Sequence, residues 1–417
     1  MISIKLSLVR VLLSFQHAFL RLSAWLPFQR TINDKGPRNI LLLRTSALGD
    51  FIFSVPAMVI LRKRYPDAKI SLMTATSPEY RVKVHPSYTG TSTLPWLLFM
   101  EPSVINEVIY LHSFGLKTLW TKTRSKVTKL NPDMTVILAH PAEPGLSLFK
   151  KIVFLRFLGI RCRIYGWRTR ASNKWFREVQ YEAGLFDHHV IGPLRSVAEL
   201  PGMPVIEEME IKFPLFLDPQ ARQWSHAIWK DKHWGGQRIV AIAPGSMQPH
   251  KRWPLENFAA LSQELVSHFS VSIVIIGTPA DKSLGEQLMK SVNGTVVNLA
   301  GETSLSQSAA LLENCTLLIG NDGGAMHLGS AMKCPVVAIV PGIEYPDSIE
   351  PWFSRELAVR HPVSCAPCYS FTQCPLGHNK CMKDISVNDV YEKCVQVLGD
   401  KAKEEPLHVN SNSYEKG

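Results

Sequence analysis

From residue 39 onward, short apolar runs alternate with stretches whose apolar residues recur every three to four positions. Residues 39–43, 69–73 and 134–138 read as buried strands, and 53–64 and 145–158 as helices. Four prolines (Pro201, Pro204, Pro214 and Pro219) then break the rhythm, and it restarts. Residues 238–242, 271–276, 295–298, 316–319 and 336–340 read as strands, with helical patterns at 255–268, 281–290, 305–313 and 325–332. Two such βαβ series predict an α/β chain of two doubly wound, mostly parallel sheets, with a cleft between domains and ligands at the carboxyl ends of the strands. The expected division is an N-terminal extension (1–38), a first domain (39–205), a second domain (206–400) and a polar tail (401–417).

The extension needs its own reading. Ser3, Ser7, Arg10, Ser14, His17 and Arg21 fall on one stripe of a helix, and Leu, Val, Ile, Phe and Trp25 fill the rest. Arg10 interrupts the apolar run and no small-residue cleavage site follows, which argues against a secretory signal. Two readings stay open: a helix lying on an anionic leaflet, or a helix docked on its own protein.

Composition narrows the class. The chain has 417 residues, 46% hydrophobic and 19% charged, which suits a protein with full cores and excludes low-complexity disorder. No apolar run reaches the roughly 18–20 uncharged residues of a membrane span. The net charge of +11 is uneven: residues 1–217 carry 29 basic and 15 acidic side chains, residues 218–417 carry 17 and 20. Residues 150–177 hold nine Lys/Arg and no acid, among them Arg161, Arg163, Arg168 and Arg170. Such a surface suits an anionic partner. No recognisable nucleic-acid module accompanies it, so nucleic acid is not the expected partner.

The loops that follow strands are where chemistry is expected. After the first strand comes Arg44-Thr45-Ser46-Ala47-Leu48-Gly49-Asp50. Asp50 reads either as a base for a substrate hydroxyl or as a helix cap. A second loop, residues 243–254, combines Gly245 and Ser246 with Lys251 and Arg252 just before a helix, a combination suited to a diphosphate. A third runs through Asp322, Gly323 and Gly324 to His327, with Asp322 expected to cap the helix, free N–H groups behind it, and His327 near the same anion. Asp281 follows another strand, as a ribose-binding acid or a simple cap, and the loop at 341–346 is placed to border a base or sugar.

Cys365, Cys368, Cys374 and Cys381 lie within 17 residues, in a segment bounded by His361 and Cys381. The first pair has zinc-ligand spacing and the second is looser, so a structural zinc and a set of reduced thiols both remain open. Cys162, Cys315 and Cys334 read as small core residues.

Three ordered segments now resemble a family. "ILLLRTSALGDFIFSVPAMVILRKRYPDAKI", "APGSMQPHKRWPLENFAAL" and "IGNDGGAMHLGSAMKCPVVAIVPG" are similar to the bacterial lipopolysaccharide heptosyltransferases, glycosyltransferase family nine, over about residues 39–397. The resemblance implies a GT-B fold of two Rossmann-like domains. It implies inverting transfer of a sugar, commonly heptose from ADP-heptose, onto lipopolysaccharide core, with no cofactor required for catalysis. Position by position, Asp50 matches the family's catalytic base and Lys251 its donor-phosphate lysine. Asp322, Gly324 and His327 match the donor motif, while Gly323 replaces a common Thr or Ser. Ser246 and Asp281 join the expected donor site. The basic run would receive an anionic lipid-linked glycan at the cytoplasmic face of the inner membrane, with peripheral contact to the leaflet. The rival readings are an epimerase-like enzyme of the same fold and a non-catalytic, zinc-containing basic binding protein.

Overall fold

The computed structural model describes residues 2–25, 36–44, 48–75, 104–111, 121, 123–141, 143–167, 174–184, 187–203, 211–213, 215, 217–370 and 372–400. The chain folds as two units. One holds the first five strands, extends to Phe216 and takes in Pro346–Ile349; the other holds Leu217–Tyr345 and the chain from Glu350 on.

In the first unit, helix α1 (Ile2–Trp25) precedes β1 (Asn39–Leu43), α2 (Leu48–Ile52), α3 (Val55–Arg64), β2 (Lys69–Ala75), β3 (Glu107–Leu111), α4 (Arg124–Leu130), β4 (Met134–Ile137), α5 (Gly145–Phe157), β5 (Arg163–Tyr165), α6 (Lys174–Glu182) and α7 (Ile191–Ala198). The strands form one parallel sheet of order β3-β2-β1-β4-β5. Its centre is dry because β1 and β4 are apolar on both faces: Ile40, Leu41 and Leu42 are fully buried beside Met134, Val136 and Ile137. Two strands escape the apolar pattern. β3 opens on Glu107 at a sheet edge, and β5 is three residues long and opens on Arg163 inside the basic run. Past β5, Gly166 sits at φ +75°, and a Cβ there would lie 2.0 Å from the Ile137 carbonyl, so only glycine lets the chain leave the sheet at this point.

Helix α1 is docked on this unit. Leu20 enters the core with Leu148, Ile152 and Leu155 of α5, and Leu13 packs on Phe176 and Val179 of α6. Among the described residues, no helix is long and apolar enough to cross a membrane.

The second unit repeats the plan. Helix α8 (Pro219–Asp231) leads into β6 (Ile239–Ala243), α9 (Leu255–Phe269), β7 (Ser272–Ile275), α10 (Lys282–Lys290), β8 (Val296–Asn298), α11 (Leu305–Leu312), β9 (Leu317–Asn321), α12 (Gly324–Ala331), β10 (Val336–Ile339), α13 (Lys380–Lys383) and α14 (Val387–Asp400). The parallel order β10-β9-β6-β7-β8 is the same winding as in the first unit, with β6 and β9 standing where β1 and β4 stand there. All five residues of β6 and of β9 are buried, which is why β6 and the first three residues of β9 are legible as apolar runs. In each unit the strand order reverses between those two central strands, and the loops leaving their carboxyl ends form the switch point where doubly wound sheets bind ligands.

Candidate functional site

In the first unit the switch-point loops follow β1 and β4. Arg44, buried at the end of β1, donates through Nη1 to the Leu138 carbonyl (2.7 Å) and through Nη2 to the Asp50 carbonyl (2.9 Å), tying the two loops together. The Asp50 carboxylate lies in the first turn of α2 rather than at its cap. Its Oδ1 is 3.8 Å from Arg44 Nη2 and 3.9 Å from His140 Nε2, and the side chain keeps about a third of its surface open (34%). His140 Nε2 in turn lies 3.1 Å from Nδ1 of His189, whose backbone N–H donates to the Ser348 carbonyl.

Burial pushes the His140 imidazole down to about 4, with Asp50 pulling the other way and Arg44 reinforcing the drop. The ring is therefore neutral at physiological pH, able to donate from one nitrogen and accept at the other. Burial likewise lowers Arg44, against the pull of Asp50 and Glu143. Burial alone would raise Glu143, yet Lys151 and the Ser147 hydroxyl hold it below the usual carboxylate range. One ligand atom each from Asp50, His140 and His189 lie within 4.8 Å of one another, which is metal-type spacing. The Arg44 guanidinium sets a positive charge beside the same carboxylate.

In the second unit, too, the switch-point loops are tied together. The loop after β6 brings Lys251 Nζ to 2.8 Å from Asp322 Oδ2, in the loop after β9, with the lysine and the aspartate side chains 14% and 7% exposed. Asn321 locks the same two loops: its Oδ1 accepts from the Trp253 backbone N–H (2.9 Å) and its Nδ2 donates to the Pro244 carbonyl (2.8 Å). The Ser246 hydroxyl donates to the Asp322 carbonyl (3.3 Å), and Arg252 donates twice to the Ser246 carbonyl (2.9 and 2.7 Å).

Asp322 does not cap α12, contrary to the expectation from sequence. Gly323 occupies the cap position with extended backbone, and the Asp322 carboxylate goes to the lysine ammonium, a stronger donor than an amide. The N–H end of α12, led by Gly324, takes no side-chain cap from Gly323, and His327 lies buried in its first turn. Asp281 is occupied by a capping box: its carboxylate accepts from the Thr278 amide and hydroxyl (2.9 and 2.7 Å), with Arg252 4.0 Å away. The loop after β10 is clamped by Arg360, which pairs with Glu350 and donates to the carbonyls of Pro341, Glu344 and Tyr345.

Arg161 is exposed, and Arg163 stacks on the Tyr165 ring at 4.9 Å; Arg168 and Arg170 lie outside the described residues. Cys365, Cys368, Cys374 and Cys381 line one small cavity together with His250 and His378. Burial would raise Cys374, but the amides of Asn379, Leu376, Gly377 and His378 more than offset it and leave this thiol below its ordinary value. Burial raises Cys381, and the neighbouring thiols add to the rise. Within the cavity, Cys365 Sγ approaches His378 Nε2 to 3.9 Å.

Arg44, His140, His189, Asn321 and Arg360 carry no signal that the sequence reading picks out. Arg44, His140 and Asn321 are within its reach, since each stands at the carboxyl end of a central strand. Nothing in the local sequence marks His189.

Two doubly wound parallel sheets in one chain are the architecture of the GT-B class of glycosyltransferases. Residues 147–379, more than half of the chain, match the model of Glycosyltransferase family 9 (heptosyltransferase), and the chain belongs to that family of glycosyltransferases. It is 24% identical over 312 residues to lipooligosaccharide heptosyltransferase 2 of Haemophilus influenzae, covering 72% of this chain and 82% of that one. In fold it is similar to the glycosyl transferase family 9 of Veillonella parvula (TM-score 0.63, 19% identity, 87% of this chain and 98% of that one). It is also similar to the ADP-heptose lps heptosyltransferase II of E. coli (TM-score 0.58, 22% identity, 87% and 99%). Family membership sets aside the epimerase-like and the non-catalytic alternatives.

Proposed function

We propose that this glycosyltransferase moves heptose from ADP-heptose onto a lipopolysaccharide core or a related anionic, lipid-linked envelope glycan, with inversion at the anomeric carbon. The observation that carries the reading is the Lys251–Asp322 pair, which sets an ammonium beside the N-terminus of α12 at the switch point of the second unit. The heptosyltransferase names of its relatives support the sugar and the acceptor class.

In this mechanism the donor diphosphate lies against Lys251, Ser246, the Gly323 and Gly324 amides and His327. Asp50 takes the proton from the acceptor hydroxyl as its oxygen attacks the anomeric carbon from the face opposite the diphosphate. The C–O bond to the diphosphate breaks, and the negative charge that develops there meets Lys251 and the helix N–H groups. Arg44 and neutral His140 hold the Asp50 carboxylate in the orientation to receive the proton. Asp281 shapes the donor loop through its capping box. Arg161 and Arg163, with Arg168 and Arg170, meet the anionic acceptor. No cofactor takes part in these steps. The four cysteines, with one thiol already held low by four amides, suit a structural zinc that would tie the 361–381 segment together.

Calorimetric titration with ADP tests the donor assignment. Binding that weakens in Lys251→Ala and persists in Asp50→Asn supports it; equal affinity in all three proteins removes the diphosphate from this loop.

A further inference from the structure

Helix α1 buries Leu13 and Leu20 on the first unit but leaves a second apolar stripe outward. Leu12, Phe15 and Phe19 are spaced along its outer side, with Phe15 72% and Phe19 58% exposed. Helix α5 presents the matching stripe: Leu146 at 66%, Val153 at 48% and Phe157 at 59%. The two stripes form one surface, because the Phe19 and Phe149 rings lie 5.3 Å apart and the Gln16 side chain covers Gly145 at the start of α5. Six large apolar side chains exposed on two adjoining helices exceed the scattered exposure usual for a soluble monomer and mark an interaction site.

The charge around the surface selects the partner. Helix α1 contains Lys5, Arg10 and Arg21 and no acid. Exposed Lys150 interrupts the α5 stripe, exposed Arg161 follows the helix, and no acidic residue occurs from 150 to 177. On α1 and α5 the exposed charges beside the stripe are cations, and the neighbouring Glu182 carboxylate of α6 is paired with Lys5. This is the composition of a surface that lies in the plane of an anionic bilayer, aromatic side chains in the acyl boundary and cations at the headgroups.

We infer that the outer stripes of α1 and α5 dock the first unit on an anionic lipid surface, through Phe15, Phe19, Leu146, Val153 and Phe157 among Arg10, Lys150 and Arg161. The inference extends the lipid-linked acceptor reading above. Vesicle binding is measured with neither donor nor acceptor present, so failure of one leaves the other to be judged separately.

The test is flotation of the full chain with vesicles of phosphatidylglycerol and phosphatidylethanolamine, against vesicles of phosphatidylcholine alone. The wild type is expected to float with the anionic vesicles, less so as salt is raised. Phe15→Ser with Phe19→Ser should lower the bound fraction about tenfold or more, since each ring loses its burial in the acyl boundary, while melting temperature and ADP affinity stay unchanged. If that double variant melts early, Lys150→Glu replaces it and should weaken anionic-vesicle binding without altering the fold. Absence of vesicle binding by the wild type, equal binding to phosphatidylcholine, or undiminished binding by a folded variant would overturn the inference. So would a wild-type dimer that the Phe substitutions split, which would make a second copy of the chain the occupant.

Discussion

Lys251 Nζ sits 2.8 Å from Asp322 Oδ2, although 71 positions separate the two residues in the chain. The pair joins the loop after β6 to the loop after β9, and in the first unit Arg44 makes the corresponding link from the end of β1 to the Leu138 carbonyl beyond β4. In both sheets a cation from the first central strand's loop is anchored on the second.

That anchoring gives the first prediction. Under the proposed donor assignment, Lys251→Ala removes a charge-assisted contact worth about 1.5–3 kcal/mol, so ADP affinity should fall roughly 10- to 150-fold. Asp322→Asn keeps the shape but loosens the ammonium, and should weaken ADP by less. Titration of ADP against each variant distinguishes the two effects.

A second prediction follows from His140. Its unfolded imidazole titrates near 6.5 and its folded one at about 4. Between those values the unfolded chain holds the proton that the folded chain refuses, so stability is lost as pH falls from about 6.5 towards 4. His140→Asn removes this component. Urea midpoints measured from pH 7 to pH 4.5 should fall less steeply in the variant than in the wild type.

Gly245 supplies the third. A Cβ at this position would lie 2.2 Å from Asp281 Oδ1, inside the capping box that Thr278 makes with the same carboxylate. Gly245→Ala must push Asp281 or the donor loop aside, at a cost of about 1–3 kcal/mol. The variant should melt earlier and bind ADP more weakly, as differential scanning calorimetry and titration would read.

The cysteine cavity gives the fourth. With a structural zinc, the purified chain should carry about one zinc, and chelation should lower the melting temperature. Metal analysis with a melt before and after chelation decides it; a metal-free chain of equal stability leaves four reduced thiols.

The strands most legible in the sequence are central ones buried on both faces, although the half-buried edge strand β8 is read as well. β6 is apolar throughout and β9 over Leu317–Ile319, because the parallel sheet is covered on each side. β3 and β5 are not legible, since charged Glu107 and Arg163 open these edge strands and β5 is only three residues long. Loop positions after strands lead to Asp50, Lys251, Asp322 and His327, but sequence cannot show which loops meet. The pairing of His140 with His189, 49 positions apart, is set by the tertiary fold, and so is the diversion of Asp322 from the helix cap to Lys251.

The central claim is tested most directly by following the anomeric proton during transfer from ADP-heptose to a heptose-deficient lipopolysaccharide core, with wild type and Asp50→Asn in parallel. The account predicts a product of inverted anomeric configuration, formed about 10²–10⁴-fold more slowly by the variant at unchanged ADP affinity. A product of retained configuration, or an Asp50→Asn rate equal to that of the wild type, would contradict it.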